Sequence, residues 1–175
     1  MKSFKNFFLI IIILSISTNN LKAEDKVAYL DIDFILTNTL AGKSLLNTLK
    51  KQEEVKISKF KTNDEKFKKD EKKILAKKNL ISNEEIKKEM KALQIEFQKY
   101  KINKNNEIEN LKKKRNTNIM NFINLINPII EKYMTDNSIY MLIDKKNIFI
   151  ANNNYDITKK LIELIDNQIK TVEIK

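Results

Sequence analysis

The segment Asn79-Leu80-Ile81-Ser82-Asn83-Glu84-Glu85 interrupts a run of 85 residues, Lys43 to Asn127, that contains neither glycine nor proline. Lacking those residues, the run has no ready means of turning tightly. It is saturated with lysine, glutamate and isoleucine, so it reads as long helix. Ser82 and Glu85 stand at the S-x-x-E spacing of a capping box, in which a serine side chain and a glutamate side chain each satisfy a free N–H at a helix start. One helix therefore ends before Ser82 and another begins after it. A break this short between two helices reverses the chain and gives an antiparallel αα-hairpin.

The arms carry the matching pattern. On the outgoing arm Leu46, Phe60, Phe67, Ile74 and Ile81 fall on one seven-residue register, interrupted by Glu53 and widened by Leu49 and Ile57. On the returning arm Ile86, Met90, Leu93, Phe97 and Tyr100 alternate by three and four. The pattern continues less regularly through Ile108, Leu111, Ile119, Phe122, Ile126, Ile129 and Tyr133. Lys104 and Arg115 stand where apolar residues are expected. A seam with about one apolar residue per heptad buries too little to hold a lone helix, so each arm needs the other. At ~1.5 Å per residue the outgoing arm is ~55 Å long. Pro128 is expected to kink or nearly end the returning helix, because it removes a backbone donor. Phe60, Phe67, Ile74, Ile81, Met90, Leu93 and Phe97 are the candidates for the seam, or for a face that meets another chain.

Short β-type segments flank the hairpin. Lys26 to Ile32 (KVAYLDI) reads as a strand, Asp33 as a cap for a brief turn, and Thr37 to Gly42 as a loop. After Asp136-Asn137-Ser138, the runs IYMLI (Ile139 to Ile143) and IFIA (Ile148 to Ala151) are separated by a polar DKKN and read as a β-hairpin. Asp156 or Thr158 caps a last amphipathic helix with Ile157, Leu161, Leu164, Ile165 and Ile169 inward. The class is α+β: a β-rich body of residues 24–42 and 116–175 carrying a helical hairpin of residues 43–115. Asp31 and Asp33 form a D-x-D, read here as a strand end and a cap rather than a metal site.

The start of the chain resembles an export signal. Lys2 and Lys5 supply positive charge, Phe7 to Ile16 an apolar run of ten, and Ala23 a small residue for cleavage. That run is about half of the ~20 residues that span a bilayer, which favours a cleaved leader of residues 1–23 over a retained anchor. Periplasmic export is the expected localisation. The chain has no cysteine, no histidine and a single glycine. Thiol chemistry, the commonest general base, the commonest metal ligands and every glycine-rich phosphate cradle are therefore missing, and no enzyme, metal or cofactor is expected.

The formal charge is +11. It is segregated: residues 43–115 hold 23 basic and 12 acidic residues, whereas the rest of the chain after residue 23 holds 8 and 11. Lys112, Lys113, Lys114 and Arg115 form the densest run and are candidates for contacting anions, against the default of a solvated helix face. Such a body, with three short strands, is small for an independent core, and its open sheet edges invite pairing. Assembly from several copies is expected, with Val27, Leu30, Ile32, Met141, Ile143 and Phe149 as candidate residues of the shared body.

This order of segments resembles the Skp/OmpH family of periplasmic chaperones across the whole chain after the leader. The residues that carry the likeness are KVAYLDIDFIL (Lys26 to Leu36), Ala41-Gly42-Lys43, IYMLIDKKNIFIA (Ile139 to Ala151) and NNYDITKKLIELID (Asn153 to Asp166). The resemblance implies a homotrimer whose strands form a central barrel and whose three hairpins surround a cavity. It also implies that unfolded outer-membrane proteins are held there without ATP. Anionic lipid or lipopolysaccharide are further partners that the lysines would suit. Two rivals remain: a structural envelope coiled coil, and a basic coiled coil that binds anions or nucleic acid. The export signal and the lack of aromatic-basic interleaving speak against nucleic acid. A prefoldin-like hairpin chaperone would lack the leader.

Overall fold

The structure is a computed structural model describing residues 26–174; the leader expected over residues 1–23 lies outside the described residues. Strand β1 (Lys26–Leu30) leads into helix α1 (Ile32–Asn38) and then into α2 (Leu40–Ala76). A short 3₁₀ turn, Lys77–Asn79, precedes α3 (Asn83–Asp136), which is followed by strand β2 (Ile139–Asp144) and helix α4 (Thr158–Gln168). The 37 residues of α2 and the 54 of α3 lie antiparallel, tied by ion pairs from Glu53–Arg115 near the root to Lys77–Glu89 near the tip.

The reversal forms at the expected residues and by the expected chemistry. Ser82 accepts from the Glu85 N–H, and the Glu85 carboxylate accepts from the Ser82 N–H at 3.1 Å. Two otherwise unsatisfied donors are thereby used up at the start of α3.

At the root, four helices and the end of a strand close one core. Ala41, Leu45 and Leu49 of α2 recur every fourth residue, as do Phe122, Ile126 and Ile130 of α3 and Leu161 and Ile165 of α4. Ile35 and Leu36 of α1 and Leu30 of β1 complete the cluster. Leu45, Phe122, Ile126, Leu161 and Ile165 are wholly buried. Each contributes about 1.5–3 kcal/mol relative to an exposed side chain.

Several local expectations are corrected. The strand ends at Leu30 rather than Ile32, and Asp31 rather than Asp33 caps α1, its carboxylate accepting from the Phe34 N–H at 2.8 Å. Ile32 therefore opens a helix. Thr37 to Gly42 is not a loop: α1 and α2 are separated by Thr39 alone, whose hydroxyl oxygen accepts from the Gly42 N–H at 3.1 Å and caps α2. Gly42 is required here, since a Cβ at this position would lie 2.0 Å from the Leu36 carbonyl oxygen. Pro128 does not end α3, which runs eight residues further, to Asp136. Proline leaves the Asn124 carbonyl without its helical donor, but Asn124 is exposed and water can serve instead.

The expected hairpin between IYMLI and IFIA does not form. Instead β2 pairs in parallel with β1, Tyr29 opposite Ile143. Lys145–Asn147 makes a 3₁₀ turn held by Asp144, which accepts from the Lys146 N–H and pairs with its ammonium at 2.8 Å. DKKN lacks the glycine that a tight hairpin turn favours, and the residues after the turn do not join the β1–β2 sheet. Residues 148–151 follow without a strand partner among the described residues, Phe149 and Ile150 fully or almost fully exposed. The other edge of the motif is closed by the Tyr29 carbonyl, which accepts from the Ile157 N–H at 3.0 Å.

Candidate functional site

The seam between α2 and α3 is partly ionic. Moving outward from the body, Arg115 meets Glu53 at 3.3 Å, Lys56 meets Glu107 at 2.6 Å, Lys104 meets Asp64 at 2.7 Å and Lys77 meets Glu89 at 2.9 Å. The polar residues that interrupted the apolar register of each arm thus partner polar residues of the opposite arm. Lys56, Asp64, Lys77, Glu89 and Glu107 are seam residues that periodicity alone did not pick out. Mirroring the chain about Ser82–Asn83 would have placed them only to within about three residues, because an antiparallel hairpin pairs residues at similar distances from its turn.

An aromatic layer occupies the middle of the hairpin. The Phe67 ring meets Phe97 edge-on at 5.2 Å between centroids and Tyr100 at 5.1 Å. The Tyr100 hydroxyl donates to the Phe60 carbonyl at 3.0 Å. The Lys104 ammonium lies 5.7 Å from the Phe60 ring and 5.8 Å from the Tyr100 ring while holding Asp64. One lysine thereby links a carboxylate and two rings of both arms.

Charge states follow from these contacts. The hydrogen bond from Lys104, and then the neighbouring Tyr100 hydroxyl, hold the Asp64 carboxyl below the usual aspartate range. Burial, and then the neighbouring Asp64, push the Tyr100 hydroxyl up to about 12. The Lys56 hydrogen bond holds Glu107 below the usual glutamate range. At neutral pH both carboxylates are charged and the phenol is protonated.

Of the seven apolar residues singled out on the arms, Ile74 is buried near the tip, while Phe60, Phe67, Ile81, Met90, Leu93 and Phe97 are half-buried. Phe67, Met90, Leu93 and Phe97 line an open groove of about 920 Å³ between the arms. Nearer the body two smaller grooves, about 530 and 540 Å³, share Leu111 as a lining residue. Leu80, at the turn, is 82% exposed and was not singled out.

The basic run at 112–115 is dispersed. Arg115 faces the seam and Glu53, Lys112 pairs with Glu109 at 3.0 Å, Lys112 and Lys114 line different grooves, and Lys113 is exposed. Helical rotation of about 100° per residue separates neighbours that are adjacent in sequence. Among the candidate body residues, Leu30 is buried, Ile32 and Ile143 are half-buried, and Val27, Met141 and Phe149 are exposed. The described residues contain no group of three or more acidic side chains placed to hold a metal ion, and no helix long and apolar enough to cross a membrane.

Residues 26–165 match the family model described as outer membrane protein (OmpH-like). Among solved structures, the fold is similar to that of a candidate outer membrane chaperone (OmpH-like) from Caulobacter crescentus CB15. The TM-score is 0.75 at 18% identity, covering 84% of this chain and 87% of that one. No curated protein matches the chain.

Proposed function

The chain belongs to the OmpH-like family of outer membrane proteins, and on that premise we propose that it is an ATP-independent periplasmic holdase for unfolded outer-membrane proteins. In this reading residues 1–23 are a cleaved export signal. Residues 24–42 and 116–175 form the body, and residues 43–115 form an arm that holds clients. Three copies share the body, the unpaired edge of β2 and the exposed Phe149 and Ile150 being covered by a neighbouring chain, and clients lie between the three arms.

The observation that carries the reading is how apolar surface is distributed. It is sealed at the root of the hairpin, where Phe122 and Ile126 are wholly buried, and left half-open along the arms, where Phe67, Met90, Leu93 and Phe97 line a groove. A holdase needs many weak contacts that can be released, and shallow apolar surface rimmed by lysines supplies them. A structural spacer would gain nothing from leaving that surface open.

The test is suppression of aggregation. A urea-denatured outer-membrane β-barrel protein is diluted into buffer without nucleotide, with the chain at one trimer per client. Suppression of light scattering is the expected result, and unchanged scattering would overturn the reading. Sedimentation of the same sample measures whether the working species is a trimer.

A further inference from the structure

The groove at the aromatic layer has a chemistry more specific than general stickiness. We infer that it takes an extended polypeptide segment in which aromatic or aliphatic side chains alternate with carboxylates; the inference rests on the holdase reading and narrows it. The floor is apolar: Phe67, Met90, Leu93 and Phe97. The rim is cationic. Lys68, Lys87, Lys91 and Lys101 line it, and among the described residues none of the four ion-pairs with a carboxylate. Lys104 and Asp64 neutralise one another at 2.7 Å, which leaves Glu71 as the one lining carboxylate outside an ion pair. The uncompensated charge of the lining is therefore positive, and it borders an apolar floor.

Shape favours a polypeptide over an amphiphile with a single headgroup. The lining on α3 extends from Lys87 to Asn105, ~27 Å at the helical rise of ~1.5 Å per residue. That length matches ~8 residues of extended chain at ~3.3 Å each. The cations are spread along it rather than gathered at one end. A fatty acid or a single lipid headgroup would satisfy one of them. A chain with a carboxylate at every second or third residue satisfies several while its intervening side chains reach the floor. An extended strand also places alternate side chains on opposite sides, which suits one apolar floor and charged margins.

The chain has no cysteine, so Gln94→Cys in the groove lining gives a unique site for an environment-sensitive fluorophore on the full-length protein. The probe is a capped ten-residue peptide alternating Asp or Glu with Phe or Leu. The controls are the same peptide with lysine at the acidic positions and with serine at the apolar positions. The acidic apolar peptide is expected to bind at least tenfold tighter than either control and to weaken several-fold between 50 and 500 mM NaCl. Lys87→Glu with Lys91→Glu, both exposed positions, is expected to reverse the preference toward the lysine peptide.

Equal binding of acidic and basic peptides, or an affinity indifferent to salt, would overturn the inference. So would a preference unchanged by the double substitution, or a label that responds to phosphatidylglycerol vesicles and not to peptide. Aggregation suppression is measured on the same preparation. Intact suppression without a peptide preference overturns this inference alone; a peptide preference without suppression overturns the holdase reading alone.

Discussion

Glu53 and Arg115, each a break in the apolar register of its own arm, meet across the hairpin at 3.3 Å. Farther out, beyond the Lys56–Glu107 pair, Lys104 stands in place of an apolar residue and pairs with Asp64 at 2.7 Å. The arms are therefore matched to one another in polarity as well as in shape. A slip of one arm along the other would separate the charges and set them against apolar side chains.

The first prediction concerns the strength of that match. A double-mutant cycle on Asp64→Ala and Lys104→Ala should give a coupling of about 0.5–1 kcal/mol at low salt, shrinking at 0.5 M NaCl, because both side chains are partly exposed and solvent screens them. Urea unfolding followed by helicity measures it. A coupling of zero would mean the pair is incidental.

Stability should also have a defined pH window. Asp64 and Glu107 sit below their ordinary ranges because Lys104 and Lys56 hold them. Their contribution is complete above the unfolded carboxylate range, about pH 4, and is lost as pH falls through the lower folded values. Tyr100 is raised to about 12. Its contribution is complete below the unfolded value of about 10 and is lost as pH rises toward 12. Thermal melts should show a plateau between those limits, and Tyr100→Phe should remove the alkaline loss due to this residue.

Gly42→Ala should destabilise the root by about 2 kcal/mol, since the added Cβ would fall 2.0 Å from a backbone oxygen rather than from a flexible side chain. A urea midpoint unchanged from that of the parent would show that α1 and α2 can part without cost.

Phe149→Asp with Ile150→Ser tests assembly. Both side chains are almost wholly exposed and contribute little to the packing of a single copy. The variant should keep its helicity yet sediment as a smaller species. Unchanged sedimentation would remove residues 148–151 from the proposed interface.

The hairpin was readable from sequence because its determinants are local. Ser82 and Glu85 are three residues apart, and the apolar spacing of each arm repeats within two turns. What escaped was non-local. Nothing in IFIA states that it forms no strand pairing among the described residues, and a β-rich run reads alike whether or not it pairs. The parallel pairing of β1 with β2 joins segments whose periodicity gave no hint of each other. Ile32 continued an alternating pattern and was read as strand, but Asp31 just before it competes for the role of helix cap and wins, with the Phe34 N–H at 2.8 Å. The candidate groove was half legible: Phe67, Met90, Leu93 and Phe97 were picked out by spacing. The lysines that rim it stand in a chain where lysine is everywhere, so only their placement distinguishes them.

The parallel register of Tyr29 with Ile143 has a kinetic consequence. More than a hundred residues separate the two partners along the chain, a separation that would make their encounter slow if the intervening polypeptide were a loose coil. Zipping of the arms from Ser82 inward shortens that path, bringing the two ends of the hairpin side by side before either strand needs a neighbour. Assembly of the molecule should therefore begin at its far end and finish at its base, with the amino-terminal strand waiting for the helices to deliver its mate.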